Sequence, residues 1–454
     1  MMRTGQFAGK TIAVLGMGRT GLACSDTLQR LGARVILSDD ADAERLGDRL
    51  QRAEELGVTV RPAASIEQAL EGASLVVPSP GIRADAPILQ AAVRAGIPVL
   101  SEIEIAYRIA RAPILAVTGT NGKSTTAVWL TEMLKETGFR AVVAGNISAD
   151  ALKRTLIEAA EEMDEEGAIV AEVSSFQLEW VERFRPKIGI LTNITRDHLD
   201  RHGSIEVYRA CKARLFAAQR PDDFAILNAV NAPSRLIADS VRSRVVWFDR
   251  GHCGHPDWAC VREGRIAVRL DGTEHILART DELRLLGDMN VENALCASAA
   301  AIAFGADPDA VTEALRTFEG LPHRMELVAE VGGVAYINSS MTTNVAAAVR
   351  ELEALKRPVI LIAGGYDKGE DFQPLGAAIK RYVAHLVVMG RAASLLETAA
   401  WNADFNDVSR ASDMADAVTQ AARRARPGDA VMLAPVCASY DMYANFEERG
   451  QAFR

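Results

Sequence analysis

The stretch Ile114–Thr126, with the sequence ILAVTGTNGKSTT, constrains the fold of this chain more than any other part of it. The apolar run that begins at Ile114 is typical of a buried parallel strand, and a helical pattern begins at Ala127, after a glycine-rich turn. Strand, turn and helix N-terminus together form a cradle for phosphate, because backbone N–H groups and the helix dipole face the anion. Lys123 adds a positive charge, and a neighbouring hydroxyl can reach Mg²⁺. The sequence therefore predicts a phosphate-binding loop, in a variant shorter than the usual eight-residue pattern.

A second glycine-rich turn lies near the N-terminus, in Thr11–Gly21, where a predicted strand runs into the pattern G-x-G-x-x-G. A helix and a second strand, Ala33–Asp39, complete a β-α-β unit with Asp39 at the tip of its second strand. This arrangement is typical of an NAD-binding dehydrogenase, although the turn suits any diphosphate ligand. An oxidoreductase is therefore one alternative, but it leaves the phosphate-binding loop without a role.

The bulk properties argue against several classes of protein. A chain of 454 residues is long enough for about two to four domains. Its formal charge of −9 argues against a general affinity for nucleic acid or anionic membranes. The sequence contains neither a run long enough to span a bilayer nor a signal-peptide pattern, and its six scattered cysteines suit reduced thiols. We therefore expect a cytoplasmic protein, and we interpret the segment 251–260, GHCGHPDWAC, as a polar loop rather than a zinc site.

Polar residues follow two predicted strands in the central third of the chain. Glu172 and Ser174 stand where the strand beginning at Ala168 ends, and His198 follows the strand Ile188–Ile194. Beside a phosphate-binding loop, Mg²⁺ takes oxygen ligands from carboxylates at neighbouring strand ends. We therefore predict that Glu172 binds a metal, whereas the spacing of His198 fits a structural role as well as a ligand.

Three further residues of the central region are open to more than one interpretation. Lys212 lies in a predicted helix, Val207–Phe216, where a solvent-exposed position is the simplest interpretation. Asn290 and Asn293 stand where another helix is predicted to begin. Capping of that helix explains one of the two asparagines, and both could also bind adenine.

The last third again alternates predicted strands and helices, with polar residues where the strands end. This alternation predicts a third doubly wound domain with its ligands along that edge of the sheet. We predict an α/β fold with three domains, each a mostly parallel Rossmann-like or P-loop sheet flanked by helices. The predicted domains are residues 1–111, 112–321 and 322–454.

Seven motifs occur in the order found in Mur ligases: GTNGKST, EVSSFQLE, TNITRDHLDRH, CKARLF, LPHRMELV, GGYDKGEDF and PVCASYDMYANFEERG. On these motifs the chain resembles the Mur ligase family over nearly its whole length. It is most similar to the members that add D-glutamate to UDP-N-acetylmuramoyl-L-alanine. The resemblance implies an ATP-dependent, ADP-forming acid–amino-acid ligase of peptidoglycan precursor synthesis, and so a role in cell-wall growth, cell shape and cell division.

The resemblance also implies a task for each domain and for individual residues. The first domain would hold the UDP part of the substrate and no NAD, the central domain would be the ATPase, and the last would bind the amino acid. The positions that match UDP-substrate contacts are Thr20, Asp39, Ser79, Gly81, Asn146 and Ser174. Those that match ATP contacts are Gly119, Thr120, Asn121, Gly122, Lys123, Ser124, Thr125, Asn290, Asn293 and Arg324. Those that match amino-acid contacts are Thr343, Lys368, Ser439 and Phe446.

The same resemblance implies the catalytic and metal-binding positions. The catalytic positions are Lys123, Glu172, His198 and Lys212, and the metal ligands are Ser124, Glu172, His198 and Lys212. Lys212 falls on the family's carbamylated lysine, a modification that turns a cation into a carboxylate able to bind a second Mg²⁺. The implied cofactors are therefore ATP and two Mg²⁺. The implied partners are the small molecules UDP-N-acetylmuramoyl-L-alanine, glutamate and ATP, with no nucleic acid, no membrane insertion and a monomeric enzyme.

One loop departs from the family pattern. Mur ligases of this kind usually carry N-D-S-K-A-T-N where this chain has NSSMTTN over 338–344, so that Ser339 and Met341 replace an Asp and a Lys. Either another residue compensates for this change or the acceptor differs, and a phosphate-binding loop alone does not establish turnover. Three alternatives stay open beside D-glutamate addition. They are L-glutamate as the acceptor, a sister ligase such as a folylpolyglutamate synthetase, and a nucleotide switch without turnover.

Overall fold

The computed structural model describes residues 3–147, 152–251 and 254–454, and His252 and Cys253 of the predicted polar loop lie outside these ranges. The described residues form three sheets of four, nine and six strands, each flanked by helices. The predicted three-domain α/β fold with mostly parallel sheets is confirmed. The chain divides into two compact units, Met1–Thr280 with Glu292–Leu315 and Asp281–Val291 with Arg316–Arg454. The first two sheets lie in the first unit and the third sheet in the second.

The first sheet is parallel, with the strand order β3-β2-β1-β4. Leu15 at the end of β1 pairs with Ser38 and Pro78, so the carboxyl ends of three strands meet at one edge. The strands of this sheet are Thr11–Leu15 (β1), Arg34–Asp39 (β2), Thr59–Pro62 (β3) and Leu75–Pro78 (β4). The α-helices around it are Arg19–Arg30 (α1), Ala43–Leu46 (α2), Asp48–Glu55 (α3), Ile66–Ala69 (α4), Pro87–Arg94 (α5) and Glu102–Ile109 (α6).

The sequence also predicts a strand at Ile97–Leu100, and this prediction is wrong. Only an isolated bridge between Val76 and Val99 forms there. The reason is Pro98, which has no N–H to donate and therefore cannot continue a ladder of hydrogen bonds.

The second sheet has the strand order β13-β12-β11-β10-β9-β8-β5-β7-β6. Its strands are Ile114–Thr118 (β5), Ala141–Gly145 (β6), Ala168–Glu172 (β7), Ile188–Leu191 (β8), Phe224–Asn228 (β9), Arg244–Asp249 (β10), Trp258–Arg262 (β11), Arg265–Leu270 (β12) and Thr273–Arg279 (β13). The α-helices of this part of the chain are Lys123–Glu136 (α7), Leu156–Glu162 (α8), Ser175–Leu178 (α9), Leu199–His202 (α10), Ile205–Ala213 (α11), Ala232–Ala238 (α12), Asp288–Phe304 (α13) and Pro308–Thr317 (α14).

The predicted strand before the phosphate-binding loop, β5, is buried along its whole length between β7 and β8. Val117 pairs with Glu172, and Thr118 pairs with Leu191. The parallel register therefore places the ends of β7 and β8 beside the loop that follows β5. This is the position in which a parallel sheet presents its ligand-binding groups.

Two buried carboxylates on helix α6 join the part of the chain around the first sheet to the part around the second sheet. Glu104 accepts hydrogen bonds from the backbone N–H groups of Glu182, Arg183 and Phe184 at 2.8–3.0 Å and pairs with Arg108. Glu102 accepts one from the N–H of Ile157 at 2.7 Å, at the N-terminus of α8. Burial is the main reason that the pKa of Glu102 is raised to about 7.

Replacing Glu104 by alanine is expected to lower the free energy of unfolding by about 3–5 kcal/mol, because it leaves buried donors without an acceptor. The matched control is Glu182→Ala. Glu182 pairs with the same Arg108, but its side chain is 59% exposed, so its loss should cost less than about 1 kcal/mol. Urea unfolding of the two variants checks this difference. Equal losses would contradict the anchoring role of Glu104.

The third sheet has the strand order β14-β15-β19-β16-β17-β18, with only the β14–β15 pair antiparallel. Its strands are Glu326–Val331 (β14), Val334–Asn338 (β15), Val359–Gly364 (β16), Val383–Met389 (β17), Val408–Arg410 (β18) and Ala430–Leu433 (β19). Its α-helices are Val345–Ala354 (α15), Gln373–Tyr382 (α16), Ala393–Asn402 (α17), Met414–Arg424 (α18) and Phe446–Phe453 (α19). Among the described residues, no helix is long and apolar enough to cross a membrane.

Candidate active site

The predicted strand–turn–helix is present, and two of its glycines are required by the geometry. Gly119 and Gly122 have φ angles of 150° and 84°, in the region that favours glycine. A Cβ atom added at Gly119 would lie 1.9 Å from the Oγ1 of Thr192, and one added at Gly122 would lie 2.2 Å from the Oδ1 of Asn293. The turn is therefore closely packed and leaves its backbone, rather than side chains, to face a ligand.

Hydrogen bonds from the end of β8 hold this turn in place. Asn121 donates its N–H to the Oδ1 of Asn193 at 3.1 Å, and its carbonyl oxygen accepts from Thr192 at 2.6 Å. The Oγ1 of Thr120 accepts from the N–H of Thr195 at 3.0 Å and lies 3.3 Å from the hydroxyl of Tyr208. These contacts fix the turn before any phosphate binds, which is what a preorganised anion site needs.

Ser124 and Glu172 form the candidate metal site. The Ser124 hydroxyl donates to the Oε2 of Glu172 at 2.5 Å, and both side chains are buried. No group of three or more His, Cys, Asp or Glu side chains placed to hold a metal occurs among the described residues. A hydroxyl and one carboxylate fit Mg²⁺, because Mg²⁺ in phosphate sites uses few protein oxygens and completes its shell with phosphate and water.

Lys212 is buried, so the interpretation as a solvent-exposed helix residue is wrong. Its side chain is 1% exposed, and its Nζ donates to the carbonyl oxygen of Gly119 at 2.8 Å and to the Oγ1 of Thr118 at 3.2 Å. Burial is the main reason that its pKa lies well below the usual range, and the positive charge of Lys123 lowers it further. Lys123 itself donates to the carbonyl oxygen of Thr120 at 2.9 Å.

The two histidines after β8 differ in exposure. His198 has a φ of 50°, its side chain is 47% exposed, and its ring contacts Phe176 edge-on at 4.9 Å. His202 is buried, and its Nε2 lies 3.0 Å from the Oγ of Ser175. Burial lowers the pKa of His202. His198 is thus the more exposed of the two histidines.

Asn290 and Asn293 lie in the first turns of α13, as predicted for the start of a helix. Asn293 accepts a hydrogen bond from the Oγ1 of Thr126 at 3.3 Å, which places it beside the phosphate-binding turn. Asn290 donates to the carbonyl oxygen of Leu286 at 2.8 Å, within the second compact unit. The two side chains therefore make different contacts, and neither caps the helix as its N-terminal residue.

The carboxyl edge of the first sheet brings Asp39 and Ser79 to the turn after β1. Asp39 accepts from the N–H groups of Met17 at 2.7 Å and Ala41 at 3.0 Å, and Ser79 donates to the carbonyl oxygen of Gly16 at 3.4 Å. Although burial would raise the pKa of Asp39, these N–H donors hold it below its usual range. Of the other predicted positions, Thr20 lies in the first turn of α1 and Gly81 is exposed in the loop after β4.

Arg201 is a residue of this region that the sequence did not single out. Its guanidinium donates to the carbonyl oxygens of Pro80 at 2.9 Å and Ile82 at 2.8 Å, and it pairs with Glu179. It therefore ties the loop after β4 to the central part of the chain. The only sign of Arg201 in the sequence is its place in the motif TNITRDHLDRH. Its partners in the loop after β4 lie about 120 residues away, so no local pattern indicates the contact.

The other two predicted substrate positions lie at the ends of β6 and β7. Asn146 is exposed, and its N–H donates to the carbonyl oxygen of Glu172 at 2.9 Å. Ser174 caps α9, where its hydroxyl accepts from the N–H of Gln177. Asn146 thus presents its amide to solvent, whereas Ser174 already has a structural role.

Three loops at the carboxyl edge of the third sheet carry the predicted amino-acid site. Thr343 follows β15, Lys368 is exposed after β16, and Ser439 is buried after β19. Reciprocal backbone hydrogen bonds between Tyr366 and Ala438, at 2.8 and 3.0 Å, join the second loop to the third. Ser340 donates to the carbonyl oxygen of Phe446 at 2.7 Å, and so joins the first loop to the third. The structure therefore brings the four predicted residues to one edge.

Arg449 is a second residue that the sequence did not single out. It is 2% exposed and donates to the carbonyl oxygens of Cys437 at 3.0 Å and Ser340 at 2.9 Å. Burial lowers its pKa to about 10. Because these acceptors are neutral, the contacts leave a positive charge at the edge that carries Ser439 and Phe446.

Three family profiles match the chain. The profile described as Mur ligase MurD-like, N-terminal domain, matches residues 10–101. The Mur ligase middle domain matches residues 117–301, and the Mur ligase glutamate ligase domain matches residues 323–437.

Curated relatives match over nearly the full length. A UDP-N-acetylmuramoylalanine–D-glutamate ligase of Pelotomaculum thermopropionicum is 44% identical over 448 residues, which cover 99% of this chain and 97% of the relative. A protein of the same name from Desulfitobacterium hafniense is 40% identical over 446 residues, covering 98% of this chain and 96% of the relative.

Solved structures share the fold at lower identity. The UDP-N-acetylmuramate–alanine ligase of Thermotoga maritima has a TM-score of 0.58 at 18% identity and covers 98% of both chains. MurF of Acinetobacter baumannii has a TM-score of 0.56 at 19% identity, covering 82% of this chain and 89% of its own.

Proposed function

This chain belongs to the Mur ligase family, and from that premise we propose that it joins D-glutamate to UDP-N-acetylmuramoyl-L-alanine in an ATP-dependent, ADP-forming reaction of peptidoglycan precursor synthesis. The observation that carries the proposal is a full set of matching domains together with an intact phosphate-binding turn beside Glu172. Full-length relatives that bear the name of this activity support it.

The proposed chemistry begins with activation of a carboxylate. A carboxylate is a poor electrophile, so the carboxylate of the L-alanyl group attacks the γ-phosphorus of ATP, giving an acyl phosphate and ADP. The amine of glutamate then attacks the acyl carbon, loses a proton, and expels inorganic phosphate. Both steps concentrate negative charge, and in our proposal Lys123 and the backbone N–H groups at the start of α7 stabilise it.

We assign a bound Mg²⁺ to the oxygens of Ser124 and Glu172, with His198 as a further candidate ligand. When bound, the metal supplies charge neutralisation at the phosphates. The contribution of this chain is to hold a buried pair of oxygens, one at the start of α7 and one at the end of β7. In this proposal Asn290 and Asn293 contact the adenine and other parts of ATP, and Arg324 also contacts ATP.

Lys212 is proposed to be carbamylated. The neutral amine attacks CO₂, forming an N–C bond and releasing a proton, and the product is a carboxylate on the lysine Nζ. A buried lysine with a lowered pKa has the neutral amine that this reaction needs. The resulting anion would lie near Lys123 and provide an oxygen ligand for a second Mg²⁺.

The first sheet is proposed to bind the UDP part of the substrate. Asp39 and Ser79 supply polar groups at its carboxyl edge, with Thr20 in the first turn of α1 and Gly81 in the next loop. We assign Asn146 to the muramoyl end of the substrate and Ser174 to the support of that region. No role for NAD is included, because the match to the family covers this turn as well.

The third sheet is proposed to bind glutamate through Thr343, Lys368, Ser439 and Phe446. Hydroxyl and ammonium groups suit the two carboxylates of glutamate, and the phenyl ring closes one wall. We propose that the enzyme acts as a monomer in the cytoplasm on small molecules alone, without nucleic acid and without membrane insertion.

The acceptor is tested by measuring product formation with D- and L-glutamate at equal concentrations, in the wild type and in Met341→Lys. We expect the wild type to turn over D-glutamate at least about tenfold faster, because fixed donors distinguish mirrored carboxylates. Faster turnover of L-glutamate would overturn the D-glutamate assignment. An unchanged preference in Met341→Lys would show that this loop does not set the stereochemistry.

Replacing the UDP-sugar substrate in the same assay tests which kind of Mur ligase this chain is. Turnover with a folate in place of the UDP-sugar would identify a sister ligase. NAD(H) binding without UDP-sugar binding would favour the oxidoreductase alternative, and ATP binding without turnover would favour a nucleotide switch.

A further inference from the structure

Glu351, on α15, is a buried acid beside the loop that departs from the family pattern. Its side chain lies against the loop over 338–344, and Thr342 donates from its Oγ1 to the Oε1 of Glu351 at 2.6 Å. The residue is 8% exposed, and among the described residues its Oε2 is buried without a hydrogen-bond partner. Burying a carboxyl group costs free energy, which indicates that Glu351 has a role at this position.

Two hydroxyl groups of the loop, those of Thr342 and Ser339, form a network with this carboxyl. Thr342 donates to Glu351, and its hydroxyl lies 3.1 Å from that of Ser339, which extends the network to Ser339. Ser339 in turn accepts from the N–H of Met325 at 3.2 Å. Glu351 is therefore the acidic end of a hydrogen-bond network that includes Thr342, Ser339 and the backbone of Met325.

Arg324 and Arg350 provide positive charge near this carboxyl. The Nη2 of Arg324 lies 3.3 Å from the Sδ of Met341, and a thioether is a weak, neutral acceptor that leaves the charge of the guanidinium in place. Burial raises the pKa of Glu351 to about 7, while the hydroxyls of Thr342 and Ser339 and the charge of Arg324 act to lower it. The carboxyl and the guanidinium are therefore electrostatically linked across the loop.

We propose that Glu351 is a positioning residue that supplies the acidic group of this loop, in the place of the Asp that the family pattern has at the position of Ser339. The loop has lost an Asp and a Lys together and so keeps its formal charge, while Glu351 brings an acid to Ser339 from the neighbouring helix. Ser339 is short enough to leave room for that network, which a second acid at 339 would disrupt.

The consequence for the reaction, which rests on the proposed function, concerns the glutamate acceptor. Thr343 follows Thr342 directly and is one of the residues assigned to glutamate. Glu351 fixes Thr342, and so sets the position from which Thr343 meets the acceptor. Loss of Glu351 should therefore raise the KM for glutamate more than it lowers kcat.

Four chains test the proposal: the wild type, Glu351→Ala, Ser339→Asp, and the double variant. We expect Glu351→Ala to raise the KM for glutamate roughly tenfold or more, as expected for the loss of a hydrogen bond to a charged group. Ser339→Asp should restore the KM to within about threefold in the Glu351→Ala chain, because contacting residues are coupled. In the wild-type chain the same change should raise the KM, because two acids would share one buried site. A purely structural role for Glu351 does not predict this reversal of sign.

The matched control is Glu353→Ala, which removes an exposed acid from the same helix and should leave the KM unchanged. If Glu351→Ala does not fold, Glu351→Gln keeps the side-chain volume and takes its place in the single and the double variant. A KM within twofold of the wild type in the Glu351 variant, or a Ser339→Asp change that is harmful in both backgrounds, would overturn the proposal.

Thermal unfolding of the same four chains provides a readout that needs no substrate. We expect Ser339→Asp to lower the Tm of the wild type and to raise the Tm of Glu351→Ala. Failure of the wild type to turn over glutamate would contradict the proposed function alone, whereas additive Tm changes would contradict the role of Glu351.

Discussion

Replacing Lys123 by alanine is expected to lower ligation by roughly 10²–10³-fold, the effect typical of removing a fixed electrostatic contact from a transition state. The Nζ of Lys123 lies at the phosphate-binding turn, 2.9 Å from the carbonyl oxygen of Thr120, and in our proposal it stabilises the transferring phosphate. The turn is also held by Thr192 and Asn193, so the fold and the binding of the UDP-substrate should survive.

Phosphate release and thermal unfolding together check this expectation. Lys135→Ala is the matched control, because Lys135 lies on the same helix with its side chain 50% exposed and paired with Glu132. The control should retain full activity. If Lys123→Ala keeps a tenth or more of the wild-type activity, the assignment of the phosphate-binding loop is wrong.

Replacing Lys212 by alanine is expected to leave the enzyme nearly inactive, with partial recovery on addition of formate or acetate. The reason is that alanine cannot carry the carbamate, so the site lacks the carboxylate that the proposal needs. A small carboxylate can occupy the space that the truncated side chain leaves. The burial of Lys212 beside Gly119 and Thr118 makes that space part of the phosphate-binding region.

Rescue is measured as turnover against the concentration of added carboxylate. Methylammonium, which has a similar size and the opposite charge, serves as the control and should not restore activity. Normal turnover of Lys212→Ala without any additive, or equal rescue by both ions, would contradict the proposed carbamylation of Lys212.

Much of the fold could be predicted because its signals are local. The apolar strand, the glycines and the lysine of the phosphate-binding loop are adjacent in sequence, and hydrophobic periodicity marked most parallel strands. The strand predicted at Ile97–Leu100 failed because Pro98 interrupts its ladder. The antiparallel strands β11–β13 were not predicted, since they are formed by cross-strand pairs rather than by a motif.

The candidate site could be predicted less completely, because several of its contacts join distant parts of the chain. The burial of Lys212 depends on packing against β5, about 90 residues away, so a helical pattern alone placed it in solvent. Arg201, Arg449 and Glu351 act through carbonyl oxygens and hydroxyls on other loops, and such partners have no sequence pattern. Residues in local motifs, such as Ser124 and Glu172, were found by their positions at strand and helix ends.

The central claim is that this chain activates a carboxylate by phosphorylation before it joins glutamate. The most direct test uses UDP-N-acetylmuramoyl-L-alanine with ¹⁸O in its terminal carboxylate, incubated with ATP, Mg²⁺ and D-glutamate. The bridging oxygen of the acyl phosphate leaves with the phosphate, so each phosphate released should carry one carboxylate oxygen, as measured by mass spectrometry. Release should also depend on both the UDP-substrate and D-glutamate. Phosphate that contains no ¹⁸O, or that is released equally without D-glutamate, would contradict the account.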